Sequence, residues 1–353
     1  MSGLSQKKMV ALTGAVTGLM AVALVFFGNP VNMGICVACF IRDIAGAVGL
    51  HRAAVVQYIR PEIIGFILGS FGIAFATKEF KVTGGSAPIL RFVMGFFVMI
   101  GALVFLGCPL RMALRLAGGD LNALVGFAGF AAGIVIGIYF LKKGYSLGNS
   151  QSLPAASGYV MPAVAVVLLI LAVASPVFLF KSEEGPGSMA APIMVALAAG
   201  LVVGALSQKS RLCMAGGVRD LILIKDPHMF IGLASIFAVA LVGNIALGKF
   251  NLGFEGQPVA HTDALWNFLG MTVVGLGSTL LGGCPLRQII LAGEGNTDAA
   301  ITFMGLLVGA AFAHNFGLAS SGAGSTVNGQ IATVIGLVVM VAIAFANLDK
   351  SKR

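Results

Sequence analysis

From Met9 to Phe27 the chain runs without a charged residue, and apolar windows of similar length recur to its end. They lie near 61–80, 88–107, 120–141, 158–181, 189–207, 228–248, 265–283, 298–318 and 328–347. A helix crosses a hydrocarbon layer of about 30 Å with roughly 20 such residues, so the pattern predicts about ten spans. Composition excludes the soluble alternative. Only 10% of residues are charged and 58% are hydrophobic, with a mean hydropathy of +1.00, whereas a soluble domain is about a quarter charged. The first window is too long for a signal-peptide core, and no small-x-small cleavage site closes it, so it reads as the first span. The expected class is an all-α integral membrane protein in the lipid bilayer.

Four short, semi-apolar segments lie between the windows: Val31–Leu50, Pro109–Gly118, Arg211–Lys225 and Pro285–Gly293. None is long enough to cross, yet each carries Cys or Arg. Irregular backbone at membrane depth must be covered by protein or line a cavity, which predicts four re-entrant half-helices. With the N-terminus inside, Lys7, Lys8, Lys78, Lys81, Lys142, Lys143, Lys209, Lys350 and Lys352 fall on the inner side, and only Lys181 and Lys249 outside. This obeys the positive-inside rule and puts both termini in the cytoplasm. The net charge of +9 is thus assigned to membrane flanks and motifs, and nucleic acid is not read as a partner.

The chain repeats itself. Gly107-Cys-Pro-Leu-Arg111 returns letter for letter as Gly283-Cys-Pro-Leu-Arg287, displaced by 176 residues. Upstream, Cys36 to Asp43 aligns with Cys213 to Asp220, displaced by 177. Gly129 and Gly133 match Gly305 and Gly309. An odd number of spans separates the copies, so the second half should run inverted through the membrane, with a site near the midplane where broken helices meet. The expected division is a first repeat half at 1–150, a joining transmembrane helix at 151–188, a second half at 189–325, and a final helix and cytoplasmic tail at 326–353.

The repeated pentapeptide has a physical reading. Gly107 tolerates the unusual backbone of a helix break, and Pro109 suits the first turn of a new helix, where its missing N–H costs nothing. Cys108 then sits at a helix N-terminus among free amide donors, a place that attracts anions. Arg111 adds fixed charge, and the argument transfers to Cys284 and Arg287. Arg42, Arg52, Arg60, Arg111 and Arg115 all fall on the outer side, against the trend of the lysines, and could line a vestibule that draws in an anion. Thiols at anion-attracting sites match a substrate with both negative charge and a soft sulfur- or selenium-like atom. The candidate substrate residues are therefore Cys36, Cys108, Cys213, Cys284, Arg42, Arg111, Arg219 and Arg287. For Arg42 beside Asp43 and Arg219 beside Asp220, a structural ion pair is the equal alternative.

Cys39 has no counterpart in the second half and reads as a packing residue. Cys36-x-x-Cys39 has the spacing of redox and metal sites, but no second pair or adjacent His accompanies it. The four histidines have no metal-ligand spacing and no Walker A motif occurs, so no cofactor, no metal and no enzymatic activity are expected.

The doubled Gly-Cys-Pro-Leu-Arg with its upstream Cys-x6-Asp elements resembles the YeeE/YedE family of bacterial inner-membrane proteins across nearly the full chain. The resemblance implies an hourglass-shaped inverted-repeat bundle that takes up thiosulfate or a related sulfur-containing ion. It implies that Cys36, Cys108 and Cys284 hand the ion along by S–H···S hydrogen bonds, with Cys213 at the matching fourth position. It also implies a TusA-like sulfur-carrier protein as a cytoplasmic partner. One branch, to which the chain looks particularly similar, is associated with selenium metabolism, which leaves a selenium compound as an alternative substrate. Two other readings remain from the residues alone: a membrane thiol redox protein, and a scaffold that docks a sulfur or selenium carrier.

Overall fold

In lipid a backbone hydrogen bond has no water to replace it, so the apolar windows close their bonds internally as helices. The structure, a computed structural model, describes residues 3–348. Its helices are α1 (Gly3–Phe26), α2 (Val37–Ala47), α3 (Pro61–Ala76), α4 (Pro88–Phe105), α5 (Pro109–Ala117), α6 (Asn122–Lys142), α7 (Ala155–Gly158) and α8 (Val160–Ala174). They continue with α9 (Ile193–Ser210), α10 (Met214–Leu223), α11 (Phe230–Ala246), α12 (Ala264–Leu280), α13 (Pro285–Gly293), α14 (Thr297–Asn315) and α15 (Val327–Ala346). The only described strands are the two-residue β1 (Thr83–Gly84) and β2 (Gln151–Ser152), paired antiparallel. Among the described residues, 7 helical stretches are long and apolar enough to cross a membrane, and α3, α8 and α11 are shorter apolar helices. The chain is thus a mostly helical, multi-pass membrane protein. Each of the four short segments contains one short helix: α2, α5, α10 and α13.

The helices pack in reciprocal pairs. α6 lies along α12 as α14 lies along α4, and α3 lies along α9 as α11 lies along α1. At the centre α4 meets α12 in opposite directions, since Val98 packs by Gly277 while Phe105 lies by Gly270. α1 and α9 also run antiparallel: the Thr13 hydroxyl reaches Leu206 O at 3.4 Å, and Gly28 abuts Ala190 at the other end.

Glycine sets the closeness of these contacts. Gly129 and Gly133 of α6 rest on the backbone at Phe268 and Thr272, while Gly305 and Gly309 of α14 rest on Phe92 and Phe96. Between helices in lipid the attraction is largely van der Waals, so small residues at four-residue spacing bring the backbones into contact.

Connected contacts define two faces. The start of α1 meets the end of α9, whose Lys209 pairs with Glu79 at 2.8 Å. The same loop bonds Glu294 through Lys81 N, and Ser146 N reaches Asn347 O beyond α15. The described ends of α1 and α15 therefore share one face, with Lys78, Lys81, Lys142, Lys143 and Lys209. Lys350 and Lys352 lie outside the described residues. The opposite face joins the loops after α2, α5, α8 and α11 through Phe180 N to Ala47 O and Asn251 N to Gly118 O.

A side chain at Gly133 would meet the Thr272 carbonyl, whereas one at Gly72 meets nothing within 4 Å. Gly133→Ala should therefore cost about 1–3 kcal/mol, while Gly72→Ala should be neutral or stabilise by up to about 1 kcal/mol. Thermal denaturation in detergent measures both, and equal melting temperatures would contradict this packing.

Candidate functional site

Each short helix begins on a cysteine. Cys36 precedes α2 with an extended backbone (φ −124°, ψ 112°), and its sulfur accepts from Cys39 N at 3.3 Å. Cys213 precedes α10 in the same way (φ −150°, ψ 122°), accepting from Gly216 N at 3.3 Å. The thiols fill the role that Ser, Thr, Asp or Asn usually takes at an N-cap. Cys108 and Cys284 cap α5 and α13, each followed by proline at the first helical position.

Folding brings these cysteines together in pairs that sequence distance conceals. Cys213 Sγ lies 3.8 Å from Cys284 Sγ, and Cys284 N donates to Cys213 Sγ at 3.5 Å. In the first half Cys36 stands within side-chain reach of Cys108 and of Cys39. Cys108 lies near the backbone of Arg111 on its own helix and of Ala38 on α2, and Cys284 near that of Arg287 and Met214, without a side-chain cap bond at either start. Two helix N-termini thus converge on each thiol pair, and all five cysteines are free and buried. Two N-termini add their amide donors and partial positive charges at one point without a mobile cation. The short helices of the two halves also touch, α5 against α10 and α13 against α2.

The helix breaks depart from expectation in one respect. The positive φ falls on the residue before the motif, Leu106 (62°) and Gly282 (78°), and not on Gly107 or Gly283. The motif glycines are needed for space, because Arg111 and Arg287 fold their stems back over them. A leucine in the left-handed region costs about 1–2 kcal/mol. The end of α4 offsets it with three cationic or imidazole donors. Arg111 Nη1 bonds Leu106 O, Arg115 Nη1 reaches Phe105 O at 2.7 Å, and His261 Nε2 meets Val104 O at 2.7 Å. At the end of α12 the amide of Gln288 does this work, donating to Leu281 O and Gly283 O at 3.3 and 3.2 Å.

The arginines do not line an open vestibule. Arg42, Arg60, Arg111 and Arg115 are buried, because a guanidinium at membrane depth must find partners. Arg42 donates to Asp43 Oδ1 through Nε (2.9 Å) and Nη2 (2.7 Å). Arg60 Nε holds the other oxygen, Oδ2, at 2.7 Å. Arg60 also stacks on Phe40 and bonds Pro186 O and Met189 O. Arg115 pairs with Asp120 at 2.6 Å. Arg52 stacks on Phe180, with its guanidinium carbon 3.9 Å from the ring centre. Arg219 pairs with Asp220 at 2.8 Å, partly exposed. Of the candidate residues, the structure therefore joins the four cysteines in two pairs and seats Arg111 and Arg287 beside them. Arg42 and Arg219 are held in ion pairs with the neighbouring aspartates.

Arg111 bonds Asn32 O and Val259 O, and its Nη1 lies 3.6 Å from Cys39 Sγ. Cys39 thereby contacts the motif arginine, an arrangement that its spacing to Cys36 did not signal. Arg287 Nη1 instead pairs with Glu294 at 2.9 Å. That acid lies seven residues on, the spacing that returns to one helix face, and this was the available signal for it. Glu79, in the loop after α3, is held below the ordinary carboxylate range by hydrogen bonds from Lys209 and Gln208.

Asp43→Asn would leave two buried guanidiniums short of a counter-charge, at a cost of about 3–5 kcal/mol. Asp220→Asn, in the partly exposed pair, should cost under about 1 kcal/mol. Thermal melts of the two purified variants separate these outcomes, and similar destabilisation would contradict the assigned environments.

Residues 209–348 match the family described as Sulphur transport. The thiosulfate transporter TsuA of Escherichia coli (strain K12) is 33% identical over 103 residues, which are 29% of this chain and 29% of that protein. The thiosulfate transporter TsuA of Spirochaeta thermophila is 31% identical over 116 residues, 32% of this chain and 34% of that protein. The matched stretches thus span about a third of these relatives' length.

Proposed function

We propose that this chain is a member of the YeeE/YedE family, a reading supported by the Sulphur transport match over residues 209–348, and that it carries a small sulfur-containing anion, thiosulfate foremost, through the bilayer. The observation that carries the reading is the Cys213–Cys284 thiol pair, 3.8 Å apart, between two helix N-termini. Its counterpart in the first half is Cys36 with Cys108.

Thiosulfate sheds a strongly bound hydration shell on entering a narrow path. Oriented amide dipoles replace part of that shell, as backbone dipoles do in other selective pores. The thiols add weak S–H donors to a soft terminal sulfur. Conduction also requires that binding be shallow enough for release. The fixed charges are arranged to that end, Arg42, Arg219 and Arg287 each being balanced by an acid. The anion then moves from the Cys36–Cys108 pair to the Cys213–Cys284 pair without covalent chemistry.

The architecture we propose is an inverted duplication, with repeat halves at 1–150 and 189–325, a joining helix, and a final helix after the second half. The reciprocal packing and the antiparallel run of α4 against α12 support it. The segregation of lysines to the face shared by α1 and α15 supports an inner-membrane orientation with both termini cytoplasmic. A TusA-like carrier would then meet the path at that face.

Purified protein in liposomes should take up radiolabelled thiosulfate. Cys108→Ala and Cys284→Ala should each abolish uptake, whereas Cys39→Ala should retain most of it. Sulfite, selenite and selenide, offered as competitors, rank the substrate's soft atom. Uptake at the unsubstituted rate by both the Cys108 and Cys284 variants would overturn the thiol path.

A further inference from the structure

The two motif arginines stand in different electrostatic settings, although each ends the same five-residue motif. Arg111 makes its hydrogen bonds to backbone carbonyls and a thiol, and among the described residues no acid lies within ion-pair distance of it. Arg287 lies close enough to Cys213 for its charge to act on that thiol, and Glu294 Oε1 holds it at 2.9 Å. Glu294 Oε2 in turn meets Arg211 at 3.6 Å, and Arg211 meets Glu79 at 3.6 Å, which pairs with Lys209 at 2.8 Å. The chain of charges runs from a guanidinium 9% exposed to one that is 54% exposed. In the first half the position matching Glu294 is Gly118, and Asn32 occupies the space a side chain there would need. The capping duty that occupies Arg111 falls to Gln288 in the second half, so Arg287 is left to interact with other charges.

We propose that Glu294 is a positioning residue for release: it competes with the travelling anion for Arg287, and Arg211 tunes that competition from the surface. The proposal rests on the transport reading and makes the path asymmetric. An anion at Cys213–Cys284 draws on Arg287 while Glu294 turns toward Arg211. When the ion pair re-forms, the anion loses its strongest partner and leaves toward the face shared by the start of α1 and the end of α15. Two ligands that share one partner are coupled reciprocally, typically by about 5–150-fold in affinity.

The test is thiosulfate uptake by proteoliposomes of one orientation, with KM and kcat measured separately. Glu294→Gln should lower both KM and kcat, each by roughly fivefold or more, because the anion is held and released slowly. Arg211→Gln should shift KM the opposite way, since Glu294 is then left wholly to Arg287. Glu294→Asp should restore the unsubstituted values in large part. Unchanged KM and kcat in both Gln variants, or a fall in folded yield with KM unchanged, would overturn the role. If Glu294→Gln does not fold, the sign of the Arg211→Gln shift decides alone. Unsubstituted protein that carries no thiosulfate would instead overturn the transport reading, and this inference with it.

Discussion

A helix that stops inside a bilayer leaves carbonyls at its end and amides at the start of the next helix, and lipid can satisfy neither. Much of this molecule answers that constraint. Where α4 ends, Arg111, Arg115 and His261 supply donors to Leu106, Phe105 and Val104. Where α12 ends, Gln288 supplies them. Where α2, α5, α10 and α13 begin, cysteine occupies the cap and proline removes a donor from the two motif helices. Amides at these starts donate to the thiols of Cys36 and Cys213, so the same breaks that burden the fold produce the centre at which we propose the anion sits.

The packing follows from keeping those breaks covered. Long helices must come close enough to shield the short ones, and the glycines of α6 and α14 permit backbone contact with α12 and α4. Buried arginines then become tolerable because acids or carbonyls surround them. Asp43 alone pairs with two guanidiniums, one on each oxygen, and fastens α2 to the segment after α8 through Arg60. On the proposed reading, a path bounded by dipoles and paired arginines attracts an anion without trapping it.

Much of this was legible in the sequence, for identifiable reasons. Hydrophobic length located the long helices, since lipid imposes it, and the Cys-Pro pair located the start of each motif helix. The identical motifs indicated equivalent places. What the sequence concealed were the partners of each side chain. Cys213 and Cys284 lie 71 residues apart and touch, and no periodicity announces that. The arginines on the outer side looked like a vestibule because their acids and carbonyls come from distant segments. The left-handed residue fell on Leu106 where glycine is the usual choice, since three donors at the end of α4 compensate for it. Identity of the motifs also masked a difference, the acid at 294 against the glycine at 118, which lies beyond the repeated letters.

On the proposed reading the anion sits at the paired thiols, where helix ends converge. A structure of the protein in lipid nanodiscs, determined with thiosulfate present, tests this most directly. Density for the anion is expected against the Cys213–Cys284 or Cys36–Cys108 pair, its terminal sulfur within hydrogen-bonding distance of a thiol. Density seated on Arg42 or Arg219, with both thiol pairs bare, would contradict it.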